Sequence, residues 1–148
     1  MEQASRKELE SLILRHVEAE NGHRLEETLA TLHPDCVFED VALGRTFRGH
    51  AGASEYYRMW WQGLGLVVTP ESTDRRMWTD DGIYVAETRF TGVHVGPFLG
   101  HAPTGRRIEF RFAVFVPFRD GLMAGERFYY DLDALLRQLG CERPVLAA

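Results

Sequence analysis

Apolar residues recur every three or four positions near the start of the chain, with charged residues between them. This spacing predicts an amphipathic first helix that begins near Ser5, where Ser5 and Glu8 form a capping box. A second, shorter apolar stripe predicts another helix that ends near His33, because Pro34 disfavours helical backbone in the residue before it. Two helices therefore precede the first predicted strand.

The hydrophobic period changes from helix-like to strand-like at Cys36. Cys36, Phe38 and Asp40 share one face of a short predicted strand, because side chains alternate between the two faces of a strand. The following stretch, ASEYYRMWWQGL, carries aromatic residues at helical spacing and predicts a third helix closed by Gly63 or Gly65.

The second half of the chain is typical of a sheet. Four long strands are predicted, separated by short turns rich in Asp and Gly, at Pro70–Thr79, Gly82–Val95, Arg107–Phe118 and Leu122–Tyr130. Hairpin connections of this kind predict an antiparallel meander. A final helix at Asp133–Leu139 completes an α+β fold, because helices and strands are segregated along the chain.

Length and charge narrow the function classes. A chain of 148 residues fits one domain, with a core from about residue 5 to 140 and a tail at 141–148. The net charge of −5 gives no basic surplus for nucleic acid or an anionic membrane. The two cysteines lack metal-ligand spacing, and no apolar stretch is long enough to span a bilayer. We expect a cytoplasmic protein without a metal.

Two segments carry a resemblance to a known family. The first is HPDCVFEDVALGRTFRGHAGASEYYRMWWQGL, and the second runs from GVHVGPFLGHAPTGRRIEF to the ending YYDLDALLRQLG. Together they resemble the SnoaL-like polyketide cyclases, within the superfamily of nuclear transport factor 2 and the ketosteroid isomerases. The resemblance implies a cone-shaped fold with N-terminal helices on a curved antiparallel sheet, no cofactor, and a homodimer formed through the outer sheet face. Val114, Val116 and Phe118 are the predicted apolar stripe on that face.

Asp40 and His16 are the first two candidate catalytic residues. A carboxylate on an otherwise apolar strand face suits a proton acceptor, and in the resemblance Asp40 takes the place of the isomerase base. The alternative is that Asp40 accepts backbone hydrogen bonds in the following turn. His16 lies on the inward stripe of the first helix, where it is either a hydrogen-bond donor to an enolate or an ordinary core histidine.

Asp131 and His94 are two further candidates. Asp131 matches the acid–base aspartate of the SnoaL-like cyclases, but it also directly precedes a helix and so suits an N-cap. His94 is predicted on a strand face and could replace the histidine that the resemblance leads us to expect upstream. The second oxyanion donor of the isomerases is absent, since its place falls near Val114–Phe115.

The candidate substrate-binding residues are mostly aromatic. A cone lined with aromatic rings suits a flat, hydrophobic ligand, and the proposed lining comprises Tyr56, Trp60, Phe90, Phe128 and Tyr130. Arg111 and Glu126 are either substrate contacts or a cross-strand pair with each other.

These observations favour a cofactor-independent cyclase or isomerase. It would act on a hydrophobic, ketone-bearing molecule, polyketide-like or steroid-like, by aspartate-mediated proton abstraction next to the carbonyl. One alternative is a module that binds a small ligand or dimerises without catalysis. Another is an epoxide hydrolase of the same fold, although Phe128 stands where the first catalytic aspartate of those enzymes would lie.

Overall fold

The computed structural model describes residues 3–141, so most of the predicted C-terminal tail lies outside the described residues. Within this range the chain forms helices and strands in the following order: α1 Arg6–Asn21, α2 Leu25–Leu29, β1 Leu32–Asp40, β2 Arg45–Arg48, α3 Gly49–Leu64, β3 Val67–Val68, β4 Arg75–Trp78, β5 Tyr84–Val93, β6 Arg107–Val116, β7 Phe118–Arg119, β8 Leu122–Tyr130 and α4 Leu132–Gln138. No helix between residues 3 and 141 is long and apolar enough to cross a membrane.

The predicted start of α1 is confirmed, whereas the predicted end of α2 is wrong. Ser5 Oγ accepts a hydrogen bond from the Glu8 backbone at 3.2 Å, and Glu8 Oε2 accepts one from the Ser5 backbone at 2.8 Å. Helix α2 ends at Leu29 and β1 already begins at Leu32, which pairs with Met123. Local pattern could not reveal this pairing, because the partner strand lies some ninety residues away.

All strands belong to one curved, mixed sheet in the order β2-β1-β8-β6-β5-β3, with β4 on β5 and β7 on β8. The antiparallel meander predicted for the second half of the chain is confirmed, because the pairs β4–β5, β5–β6 and β6–β8 are antiparallel. The sheet as a whole is mixed rather than antiparallel, because β1 runs parallel to β8. Turn signals describe only neighbouring strands, and this pair joins the two ends of the chain. It places Phe38 beside Glu126 and Asp40 beside Phe128.

Several predicted strands are shorter than expected. The Pro70–Thr79 prediction is reduced to β4, because residues before it form a turn in which Asp74 Oδ2 accepts a hydrogen bond from the Glu71 backbone at 3.0 Å. The strand predicted at Arg107–Phe118 breaks at Pro117, which has no N–H to donate to a sheet. Strand β5 ends at Val93, so His94 lies just beyond it.

The predicted outward stripe on β6 is also wrong. Val114 and Val116 are buried on the inner face, whereas Phe115 is 36% exposed on the outer face. The inner face of β6 is fixed by Phe112, which stacks on Phe90 of β5 with ring centroids 4.0 Å apart. Because side chains alternate along a strand, this contact turns Val114 and Val116 inward as well.

A β-bulge at Gly125 decides which way the end of β8 faces. Met123 and Glu126 are both buried although they are three residues apart, and between Met123 and Arg127 strand β8 has one residue more than the β6–β7 segment that pairs with it. Gly125 adopts φ +142°, and a Cβ at this position would collide with the carbonyl oxygen of Val37. The bulge therefore needs glycine, and it directs Glu126 to the inside of the cone.

We expect Gly125→Ala to lower the free energy of unfolding by about 3 kcal/mol or more, because it combines a backbone clash with an unfavourable φ. Urea denaturation of both proteins measures this difference. Gly82→Ala is the matched control, since Gly82 also has a positive φ of +83° but has open space around it. That control should cost only about 1 kcal/mol; equal costs for the two variants would contradict the assigned bulge.

Candidate functional site

A large cavity lies between α1 and the inner face of the sheet, with a volume of about 460 Å³. Such a volume is in the range of sites for small organic ligands. Most of the lining is apolar and comes from Ile13, Leu14, Val17, Val68, Pro70, Met77, Trp78, Tyr84, Ala86, Phe90, Phe112, Val114, Val116, Met123 and Phe128. The polar lining residues are Glu10, His16, Glu20, Arg76, Thr88 and Glu126.

The cavity has a solvent end and an inner end. Leu14 and Met77 line it and are 72% and 52% exposed, so they mark its mouth. His16 and Glu126 also line it but are only 2% and 5% exposed. Ionisable groups therefore lie at the inner end of an apolar space.

We call His16, Glu20 and Glu126 the buried triad. His16 Nε2 lies 3.0 Å from Glu126 Oε1 and 3.3 Å from Glu20 Oε2. His16 and Glu20 are one helical turn apart on α1, and Glu126 reaches them from the bulged end of β8. The hydroxyl of Tyr57, on α3, lies 3.2 Å from the same nitrogen.

The triad holds His16 in its charged form. Burial alone lowers the pKa of His16, but hydrogen bonds and charges from Glu126 and Glu20 more than offset this and raise it to about 10. Burial raises the pKa of Glu126, and the adjacent His16 only partly opposes this. At neutral pH the site therefore contains the His16 imidazolium beside the carboxyl groups of Glu20 and Glu126. The raised pKa makes the Glu126 carboxylate a stronger base than an ordinary glutamate.

The buried triad is also the group in residues 3–141 whose ligand atoms lie close enough together for a metal ion, all within 4.8 Å. The separations of 3.0 and 3.3 Å between His16 Nε2 and the carboxylate oxygens of Glu126 and Glu20 are hydrogen-bonding distances. We therefore interpret the triad as a hydrogen-bonded ion-pair cluster.

Asp40 is the centre of a second buried polar group. Its Oδ2 accepts hydrogen bonds from Tyr56 at 2.6 Å and Tyr130 at 2.8 Å, and its Oδ1 accepts one from the Leu43 backbone at 2.8 Å. Burial, together with the charge of Asp40, raises the pKa of both tyrosines, so they remain neutral donors. Asp40 is 1% exposed and is not among the lining residues of the large cavity.

A small cavity of about 20 Å³ adjoins this second group. Three of the predicted aromatic binding residues, Tyr56, Trp60 and Tyr130, line it. Phe90 and Phe128 line both the small and the large cavity, and so does Glu20. The predicted aromatic set is thus divided between two adjacent spaces, and the smaller one has room for about one water molecule.

Three other predicted site residues lie away from both cavities. His94 is fully buried, with Nδ1 3.0 Å from Thr104 Oγ1, and its Nε2 has no hydrogen-bond partner among the described residues. Asp131 is exposed and caps α4, accepting a hydrogen bond from the Ala134 backbone at 2.9 Å.

The third, Arg111, lies on the outer face of the sheet, where it forms ion pairs with Glu71, Asp74 and Glu87. The predicted pair between Arg111 and Glu126 is therefore wrong, because the two side chains lie on opposite faces of the sheet. Glu126 instead contacts His16.

The sequence reasoning missed Glu20, Tyr57 and Thr31, which all contact His16 or its neighbours. One signal was available for Glu20, because a residue four positions after His16 lies on the same face of a helix. Tyr57 lies on α3 and Thr31 lies between α2 and β1, so their contacts with His16 depend on tertiary packing that the spacing along the chain does not show.

Comparison with known families agrees with this architecture. The family model of the SnoaL-like domain matches residues 13–126, which is most of the chain. The chain belongs to the SnoaL-like domain family. Among curated proteins, none is significantly similar to it in sequence.

Several solved structures have the same fold as this SnoaL-like domain. A candidate polyketide cyclase from Xanthomonas campestris pv. campestris is 21% identical with a TM-score of 0.79, covering 92% of this chain and 99% of that chain. TsrD from Streptomyces laurentii is 27% identical with a TM-score of 0.76, covering 95% and 100%. A protein of ketosteroid isomerase-like fold from Catenulispora acidiphila is 20% identical with a TM-score of 0.71, covering 88% and 93%. The fold class expected from the resemblance is confirmed.

We expect the stability of this SnoaL-like protein to fall in alkaline solution because of His16. Its folded-state pKa of about 10 lies above the ordinary value of 6.5. The resulting stabilisation is complete below pH 6.5, declines as the pH rises, and is lost above about pH 10. Between those two pH values, the free energy of unfolding of the wild type should fall by on the order of 2–4 kcal/mol more than that of His16→Gln. Urea denaturation at a series of pH values measures this difference.

The matched control for this prediction is His101→Gln in the loop before β6. The described contact of His101 is a backbone bridge to Phe98, so this variant should follow the wild-type pH dependence. Parallel pH curves for wild type and His16→Gln would show that His16 does not carry the raised pKa.

Proposed function

We propose that this protein catalyses proton transfer on a hydrophobic, carbonyl-bearing small molecule of the polyketide type, leading to ring closure or isomerisation. One observation carries the proposal: the buried triad lies at the inner end of an apolar cavity large enough for such a molecule. An acid–base group in a space from which water is largely excluded is the arrangement that carbon–hydrogen proton abstraction requires.

The lining of the cavity supports a hydrophobic and aromatic substrate class. Phe90, Phe112 and Phe128 form a continuous aromatic wall, with ring centroids 4.0 Å apart for the first pair and 5.7 Å for Phe112 and Phe128. Flat rings stack well on such a wall. Relatives of the same fold include a candidate polyketide cyclase, which is consistent with this class.

Glu126 is the proposed base. Its carboxylate would take a proton from the carbon next to the substrate carbonyl, and the electron pair of that C–H bond would pass to the carbonyl oxygen as an enolate. Burial raises the pKa of Glu126, which makes its carboxylate a stronger proton acceptor than a carboxylate in water. The adjacent imidazolium of His16 offsets the negative charge that the enolate brings.

For Asp40 we propose a positioning role instead of the role of base that the sequence suggested. Its carboxylate accepts three hydrogen bonds and fixes the hydroxyls of Tyr56 and Tyr130, whose rings border the small cavity. Since neither Asp40 nor the two tyrosines line the large cavity, Asp40 would act through the two tyrosine rings. The proposed reaction uses protein side chains alone.

The test is deuterium uptake in heavy water by a panel of polycyclic and simple ketones, followed by mass spectrometry. Glu126→Gln should lower the rate of enzyme-catalysed exchange by about 100-fold or more, because it removes the proton acceptor. Glu39→Gln is the matched control, since Glu39 lies on the outer face and pairs with Arg127 at 3.0 Å. The control should exchange at the wild-type rate.

Asp40→Asn separates the two candidate bases in the same assay. We expect it to lower exchange by less than about 10-fold, because an amide still accepts hydrogen bonds from Tyr56 and Tyr130. Loss of exchange in Asp40→Asn with retention in Glu126→Gln would assign the base to Asp40 and contradict the proposal. Tight binding of the ketones by wild type without any exchange would instead indicate a binding module.

A further inference from the structure

We propose that Thr31 is a positioning residue for this reaction, fixing His16 so that Nε2 is the one ring nitrogen that exchanges protons with Glu126 and the cavity. The inference rests on the proposed function, because it assigns which ring nitrogen of His16 acts beside the proposed base, Glu126. It concerns a side chain that does not line either cavity.

The evidence is a short chain of buried hydrogen bonds. Thr31 Oγ1 donates to the carbonyl oxygen of Thr28 at 2.6 Å, and His16 Nδ1 lies 2.7 Å from the same Oγ1. Thr31 is 5% exposed, so water does not compete strongly for these contacts. The segment between α2 and β1 thus holds the back of the His16 ring.

The direction of the second hydrogen bond follows from counting hydrogens. A threonine hydroxyl has one hydrogen, and the Thr28 carbonyl can only accept, so that hydrogen points to Thr28. Thr31 Oγ1 can therefore only accept from His16, and Nδ1 must carry a hydrogen. This holds for the charged ring and for the neutral ring alike, so any proton that His16 loses leaves from Nε2.

Within residues 3–141, the ionisable groups that contact the His16 ring lie on the Nε2 side. Glu20 reaches Nε2 from the same helix, Tyr57 from α3 and Glu126 from β8. Burial, followed by the charges of Glu126 and Glu20, raises the pKa of Tyr57 well above its ordinary value, so it stays protonated. Cys36 of β1, near Glu126, also stays a thiol because burial raises its pKa. Thr31 thus keeps Nδ1 in a hydrogen bond and leaves Nε2 as the ring nitrogen that can lose a proton.

Thr28 offers a matched control for a purely structural role. Its hydroxyl is also buried and donates to a backbone carbonyl, that of Arg24, at 2.7 Å. Among the hydrogen bonds of residues 3–141, none joins this hydroxyl to His16. Thr28→Val and Thr31→Val therefore each remove one buried hydroxyl from the same segment, and only the second removes the acceptor for His16 Nδ1.

The experiment combines side-chain nitrogen NMR with the exchange assay. The protein is labelled with ¹⁵N, and the His16 signals are assigned by their absence from His16→Gln. In Thr31→Val we expect the titration midpoint of His16 to fall by about one pH unit or more, because a charge-assisted hydrogen bond is lost. The neutral ring should then show both tautomers, and the pH profile of ketone exchange should shift in the same direction.

Thr31→Ser and Thr28→Val complete the test. Thr31→Ser keeps the hydroxyl and should restore the wild-type midpoint, whereas Thr28→Val should lose stability without moving the midpoint. The proposal is overturned if Thr31→Val leaves the His16 signals at their wild-type positions, or if Thr28→Val shifts them equally. The NMR titration needs no substrate, so it decides the role of Thr31 even if no ketone is turned over.

Discussion

The ion-pair cluster of His16, Glu20 and Glu126 is the constraint on which the rest of the structure depends. Removing an ion from water costs several kcal/mol, so the cluster is stable only where each charge meets a partner. The partners come from α1, α3, β8 and the segment before β1. The parallel pairing of β1 with β8 and the bulge at Gly125 are what bring Glu126 to His16.

Two buried polar groups lie inside one aromatic cone, and their surroundings give them different roles. Asp40 accepts hydrogen bonds from two tyrosine hydroxyls and a backbone N–H, which occupy three of its roughly four accepting positions. Glu126 contacts His16 and borders a cavity of about 460 Å³. Phe128 lines both cavities, so the proposed substrate-binding wall also stands beside both the carboxylate proposed to position the site and the carboxylate proposed as the base.

Local physics explains which features the sequence predicted. The capping box at Ser5, the bounds of β8 and the inward face of Asp40 follow from spacing and alternation, and the structure agrees. The partner of Glu126 could not be found this way, because His16 is more than a hundred residues distant and reaches it only after β1 inserts beside β8. The orientation of Val114 was predicted wrongly because alternation along a strand does not show which of its two faces is buried. In the structure, the stacking of Phe112 on Phe90 decides this.

The most direct test of the account is a crystal structure of the protein with 2-naphthol, whose phenol group mimics the enol of an aromatic ketone. The account predicts its ring against Phe90 and Phe112, with the hydroxyl oxygen within hydrogen-bond distance of Glu126 or His16. Such a pose would place the reacting oxygen at the buried triad. Binding with the hydroxyl directed to Asp40, or only on the outer face of the sheet, would contradict the assignment of the triad as the reactive centre.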